Sequence, residues 1–177
     1  MIIERMNQEV KDIIIKYGSQ ILCSEAFRTT FQQTHHVKTT VGAHTMGVTV
    51  EAVQLSLSHG ITDDQTLRNI VTSCLYHDIG LMGRDDKYRN AYQTLIRHPN
   101  DSAKAYMELT GEKDERVLNA IRTHMFPVKP FPPTYKEGWI LTLADKIFSI
   151  REMLKIPTVS DEEIKELLMQ AEKELDA

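Results

Sequence analysis

The run Cys74-Leu75-Tyr76-His77-Asp78-Ile79-Gly80 sets an imidazole and a carboxylate side by side at the end of an apolar stretch. Such adjacency is a poor packing solution. A carboxylate sunk in an apolar stripe without a partner costs on the order of several kcal/mol, whereas the two side chains together can bind one cation. The dipeptide therefore asks for a metal ion or a compensating charge. His44, His98, His124 and Asp145 fall at inward-facing positions or helix ends of the patterns described below, which brings the candidate ligands to six. Four imidazoles and two carboxylates suit a pair of first-row transition ions better than a lone magnesium, which prefers oxygen ligands and keeps its water. Asp78 is the natural bridge between two ions. A water held there would be deprotonated near neutral pH and could attack phosphorus; with iron, open positions could bind dioxygen instead. The ligand set alone does not choose between these chemistries.

The elements that must position these side chains are helices. Three- and four-residue periodicity dominates, and no segment shows sustained two-residue alternation bounded by turns. A first helix is expected from about Ile2 to Lys16 with Gly18 as its stop, and a second from Ser19 to about Gln33. After the polar junction Thr34-His35-His36-Val37-Lys38, a long helix should cover about Thr40 to His59 and carry His44 on its inner stripe. Asp63 or Asp64 can cap the next, whose stripe of Leu67, Ile70, Val71, Cys74 and Leu75 continues onto Asp78. Residues 79–97 read as a charged loop with a short helix. Pro99 is expected to mark a boundary, with Asn100 capping a helix that Gly111 closes. A helix from about Lys113 to Met125 places His124 near its apolar face. The proline-rich stretch 126–133 cannot continue it and should form a stiff loop beside His124. A helix from about Lys136 to Leu154, apolar nearly all round and holding Asp145, should be central. Ser160-Asp161-Glu162-Glu163 is a capping box opening a last helix. The expected fold class is an all-α bundle of about seven or eight helices, forming a single domain over residues 1–177 with its core at about 38–151.

At 177 residues the chain can bury a substantial core without disulfide or metal staples. Cys23 and Cys74 lie in apolar helical surroundings without a Cys-x-x-Cys pair and read as reduced core thiols. A net charge of -4 argues against a nucleic-acid polymer or an anionic membrane as partner. No segment approaches the roughly 20 apolar residues of a membrane span, so a cytoplasmic protein is expected. The amphipathic terminal helices leave a homodimer open.

The order His44, His77-Asp78, Asp145 resembles the HD superfamily, all-helical metal-dependent phosphohydrolases named for that dipeptide, over roughly Lys38 to Arg151. His98 in Arg-His-Pro-Asn-Asp-Ser-Ala and His124 in Ala-Ile-Arg-Thr-His are similar to the dinuclear branch, which includes bacterial symmetrical diadenosine tetraphosphate hydrolases, HD-GYP phosphodiesterases and mixed-valent di-iron oxygenases. The resemblance implies that His44, His77, Asp78 and Asp145 bind one ion and that Asp78 bridges to a second held by His98 and His124. It implies two divalent transition ions, iron or manganese first, with nickel, cobalt, zinc or magnesium as alternatives. Two departures matter. Leu81 follows Gly80 where many relatives carry lysine, and Met125 follows His124 where HD-GYP proteins carry a second histidine, with no Gly-Tyr-Pro after it.

The remaining polar residues receive simpler expectations. His35 and His36 should face solvent, and His59 should interact with the C-terminal end of its helix. Arg84, Lys87, Arg89, Arg97 and Arg122 are candidate contacts for a substrate phosphate. Phe126, Phe131 and Tyr135 could stack on a base. Lys146, beside Asp145, is the candidate for neutralising charge during catalysis, together with Asp78 as the central catalytic ligand. The expected function is hydrolysis of a phosphoester or phosphoanhydride of a small phosphorylated molecule, a nucleotide first, by a metal-activated hydroxide. The alternatives are a di-iron oxygenase acting on a polyol or phosphonate, which the absent lysine disfavours, and a ligand-sensing module.

Overall fold

The computed structural model describes residues 6–36, 39–156 and 159–176, and only the backbone of His36. The described residues form nine α-helices: α1 (Gln8–Leu22), α2 (Glu25–Thr29), α3 (Val41–Ser58), α4 (Asp64–Tyr76), α5 (Arg84–Lys87), α6 (Ala91–Thr110), α7 (Glu115–Thr123), α8 (Lys136–Met153) and α9 (Asp161–Asp176). The fold is all-α, as the periodicity requires. Two short helices, α2 and α5, account for the excess over the expected count. The polar junction holds a small antiparallel hairpin, β1 (Thr34–His36) with β2 (Thr39–Thr40). Strands of two and three residues are too short for alternation to announce them.

Polar caps set most helix starts. Asn7, Ser24, Thr40, Asp63, Asn90 and Asp114 each accept a backbone N–H of the first turn that would otherwise lack a partner. Ser160 and Glu163 form the expected reciprocal box, with Ser160 N donating to Glu163 Oε2 (2.9 Å) and Glu163 N donating to Ser160 Oγ (3.2 Å).

Two boundaries differ from expectation. α1 runs through Gly18 to Leu22. Gly18 lies against α4, where a Cβ would stand 2.8 Å from Leu75 Cδ1, so this glycine serves close helix approach rather than termination. The expected start at Ile2 lies outside the described residues. α6 begins at the Asn90 cap and continues through Pro99 to Thr110. An internal proline costs roughly 3 kcal/mol, which burial of His98, Ser102, Ala103 and Tyr106 offsets. In consequence His98 sits inside a helix rather than at its edge.

The central helix is α3, buried on almost every side and packed chiefly on α8 and α4. α8 was expected to hold that place. It buries Leu141, Ala144, Asp145 and Phe148 on one face but exposes Trp139, Leu143, Ile150 and Met153 on another. An all-round apolar sequence cannot reveal which face meets the core, and here one apolar face remains open. α1, α4, α6, α7 and α9 complete the main core, in which Ile14, Leu22, Leu75, Tyr106, Ile121 and Leu167 are fully buried. Cys74 is buried and Cys23 partly so, both as free thiols. No helix among the described residues is long and apolar enough to cross a membrane.

Candidate metal centre

Each helix that carries a chemical residue delivers it to one buried place. α3 supplies His44 from its second turn and α8 supplies Asp145. His77 and Asp78 lie where α4 ends and a single turn of 3-10 helix, Ile79–Leu81, begins. α6 supplies His98, and His124 follows the last residue of α7. All six candidate ligands are buried.

The imidazoles are oriented by their outer nitrogens. The Nδ1 atoms of His77, His98 and His124 lie 2.7, 2.8 and 2.7 Å from the carbonyl oxygens of Cys74, Thr94 and Ile121. A carbonyl can only accept, so each Nδ1 carries the proton and each Nε2 presents a lone pair inward. His44 Nδ1 donates to Glu152 Oε2 at 2.8 Å. This pattern of an anchored Nδ1 and an inward Nε2 is how proteins prepare histidine for a metal.

The inward atoms divide around the Asp78 carboxylate. Oδ1 faces His98 Nε2 (3.3 Å) and His124 Nε2 (3.7 Å). Oδ2 faces His77 Nε2 (3.4 Å) and His44 Nε2 (3.9 Å), and Asp145 Oδ1 lies 3.2 Å from His44 Nε2. Two groups whose ligand atoms all lie within 4.8 Å of one another result: His44, His77, Asp145, and Asp78, His98, His124. Buried His77 Nε2 has no hydrogen-bond partner among the described residues. His98 Nε2 and His124 Nε2 are 3.0 Å apart, two lone pairs face to face. An orphaned buried nitrogen and a repulsive lone-pair contact are both relieved by cations, so the donor set fits divalent metal binding.

Charge in the site is lopsided. Burial alone would discharge His44, but hydrogen bonds to Asp145 and Glu152 and the nearby charge of Asp78 outweigh it and raise its pKa to about 10. Burial opposes ionisation of Asp78 too, yet the His77 ring beside it and the imidazoles of His35 and His98 at its carboxylate hold it well below the usual carboxylate range. Asp145 is likewise held low against burial by the His44 hydrogen bond and the charges of Lys146, His44 and His77. His124 moves the other way, pushed to about 3 by burial and by the charges of His98 and His77. Strongly perturbed groups concentrated in one buried cluster mark a candidate functional site.

Lys146 Nζ donates to Asp145 Oδ2 (2.6 Å) and to the His124 carbonyl (3.2 Å) and remains about one-third exposed, so it forms the lip of the site. The other candidate cations divide. Arg84 Nη1 donates to the His35 carbonyl (2.9 Å) and Lys87 Nζ to the Gly80 carbonyl (3.3 Å), so both hold backbone. Exposed Arg89 and Arg97 and half-buried Arg122 make no side-chain hydrogen bond or ion pair among the described residues. The ring of Phe126 packs edge-on to Trp139, Tyr135 lies under the Arg116 guanidinium, and Phe131 is exposed. His59 Nδ1 donates to the Leu55 carbonyl at the end of α3, as expected.

Two residues of the cluster were not anticipated. His35 was expected in solvent; its side chain is only 11 % exposed, stacks on His44 and reaches Asp78 Oδ2 at 3.1 Å. The side chain of His36 lies outside the described residues. Glu152, seven residues after Asp145 and on the same face of α8, backs His44. That spacing could have announced Glu152, whereas nothing in the polar junction announced His35.

A family model described as HD domain matches residues 41–149, more than half of the chain. Searches of curated proteins and of solved structures returned no match.

Proposed function

The chain belongs to the HD-domain family, and from that premise we propose that it is a metal-dependent phosphohydrolase with a dinuclear site that cleaves a phosphoester or phosphoanhydride of a small molecule, a nucleotide first. The family consists mostly of metal-dependent phosphohydrolases. The observation that carries the dinuclear reading is the division of Asp78, one oxygen toward His98 and His124 and the other toward His77 and His44. In this assignment His44, His77, Asp78 and Asp145 hold one ion, and Asp78, His98 and His124 hold the other. Bound divalent ions supply Lewis acidity toward a phosphoryl group and a nucleophile drawn from water.

The chain's own residues supply position and charge. The carbonyls of Cys74, Thr94 and Ile121 orient three imidazoles with Nε2 inward, the tautomer that ligation needs. Lys146 keeps its ammonium at the lip, within reach of charge developing on a phosphoryl oxygen. Arg89, Arg97 and Arg122 keep unpaired guanidinium groups for the remaining phosphates of a substrate.

The test joins two measurements on protein purified without oxygen and without a chelating column. Mass spectrometry should find about two transition-metal ions per chain, and phosphate release from a panel of nucleotides should require them. A metal content near zero together with no turnover under added manganese would overturn the reading. Oxygen uptake without phosphate release would replace it with the oxygenase.

A further inference from the structure

We infer that His35 is an additional ligand-side residue of the metal site, brought in by the β1–β2 hairpin to the half that contains His44, His77 and Asp145. The inference rests on the metal-binding reading above. His35 lies outside the residues matched by the family model, so the match does not assign it. Its Nε2 stands 3.1 Å from Asp78 Oδ2, closer than His77 Nε2 at 3.4 Å or His44 Nε2 at 3.9 Å. Its ring stacks on that of His44, with centroids 4.1 Å apart and planes 23° apart, so both rings direct Nε2 to the same carboxylate oxygen. His35, His44 and Asp78 form a third group whose ligand atoms lie within 4.8 Å of one another.

The backbone holds His35 there. Arg84 Nη1 donates to the His35 carbonyl (2.9 Å), and Gly83 N donates to Gln33 Oε1 (3.3 Å), so the segment after the His77-Asp78 pair fastens the hairpin from one side. Val41 N donates to the Gln33 carbonyl (2.8 Å), which ties the hairpin to the start of α3, one turn before His44. A surface histidine needs none of this. With His35 engaged, three imidazole nitrogens surround Asp78 Oδ2, a donor density suited to a borderline-soft transition ion. An ion held on that side would have one donor more from the chain and so fewer positions for ligands from solution.

The experiment titrates metal-free full-length protein with Co2+, followed by calorimetry and by visible absorption, which reports coordination number. His35→Phe preserves the stack on His44 and removes the nitrogen; His35→Gln provides a second variant should the first misfold; His77→Ala is the control for the site itself. The expected result is a loss of affinity of about tenfold or more in one class of site, with altered Co2+ absorption and unchanged helical circular dichroism. Binding within twofold of the parent and an identical spectrum in either folded variant would overturn the inference. If those variants match the parent while His77→Ala loses metal, only this inference fails; if the parent binds no Co2+, the metal-site reading fails with it.

Discussion

His98 Nε2 and His124 Nε2 face each other at 3.0 Å, although the Nδ1 of each ring already donates to a backbone carbonyl. With both Nδ1 protons committed to carbonyls, the two Nε2 atoms oppose each other in a buried site, and a proton or a cation between them makes the contact favourable. A cation shared by the two rings would relieve that opposition. His124→Ala is therefore expected to remove the ion on this side while the His44, His77, Asp145 side keeps its own. Loss of the ring also removes a repulsion, so stability should fall by no more than about 2 kcal/mol. Metal analysis of the variant should give about one ion per chain; an unchanged content would make the site mononuclear.

Asp78 belongs to both halves, so its removal should act differently. Asp78→Ala leaves His77, His98 and His124 without the carboxylate that joins them. Both ions should be lost and turnover should drop by at least about 100-fold. Survival of manganese-supported activity in this variant would show that the centre lies elsewhere.

Much of this centre was legible in the sequence, because five of its six expected ligands extend apolar helical stripes or stand at helix ends. His98 was legible as a ligand but not as a mid-helix residue, since Pro99 signals a boundary that burial of Tyr106 and Ala103 overrides. His35 was illegible for a different reason. It lies on a three-residue strand whose inward face is set by Arg84, forty-nine positions away, and no local period encodes such a contact. The place of α8 was misjudged because apolar residues all round a helix do not say which face the protein covers. Arg84, expected as a phosphate contact, also donates Nη1 to the His35 carbonyl and so ties the hairpin.

Metal binding should release a proton. Carboxylates around His44 raise its pKa to about 10 against the effect of burial, so near neutral pH the ring is charged before an ion binds. Ligation through Nε2 needs the neutral ring, and apparent affinity should therefore rise with pH, by about tenfold per unit for each proton released. The sign for folding is opposite. A raised histidine pKa stabilises the metal-free protein below the ordinary value of 6.5 and loses that contribution as pH climbs through about 10. Calorimetric titration in two buffers of different ionisation enthalpy counts the protons. Glu152→Gln removes one of the two carboxylates that hydrogen-bond His44 and should reduce the count; equal proton release in parent and variant would show that Glu152 does not hold the charge.

Gly80 couples the fold to the centre most directly. It follows Asp78 by two residues, and its turn packs against α6, where Gly80 N donates to Ser102 Oγ at 2.9 Å. A Cβ at this position would lie 2.5 Å from Ser102 N and 2.7 Å from the His98 carbonyl oxygen. Those neighbours are backbone atoms of a helix and cannot swing aside as a side chain could. Gly80→Ala must therefore push the Ile79–Leu81 turn away from α6, at a cost of about 1–3 kcal/mol for overpacking. That displacement separates Asp78 from His98 while leaving His44 and Asp145, which lie on α3 and α8, in place. The variant should melt at a lower temperature and lose affinity mainly at the His98 and His124 side. Thermal denaturation together with Co2+ titration checks both parts. Lowered stability with unchanged binding at that side would mean that Asp78 does not depend on the packing of this turn.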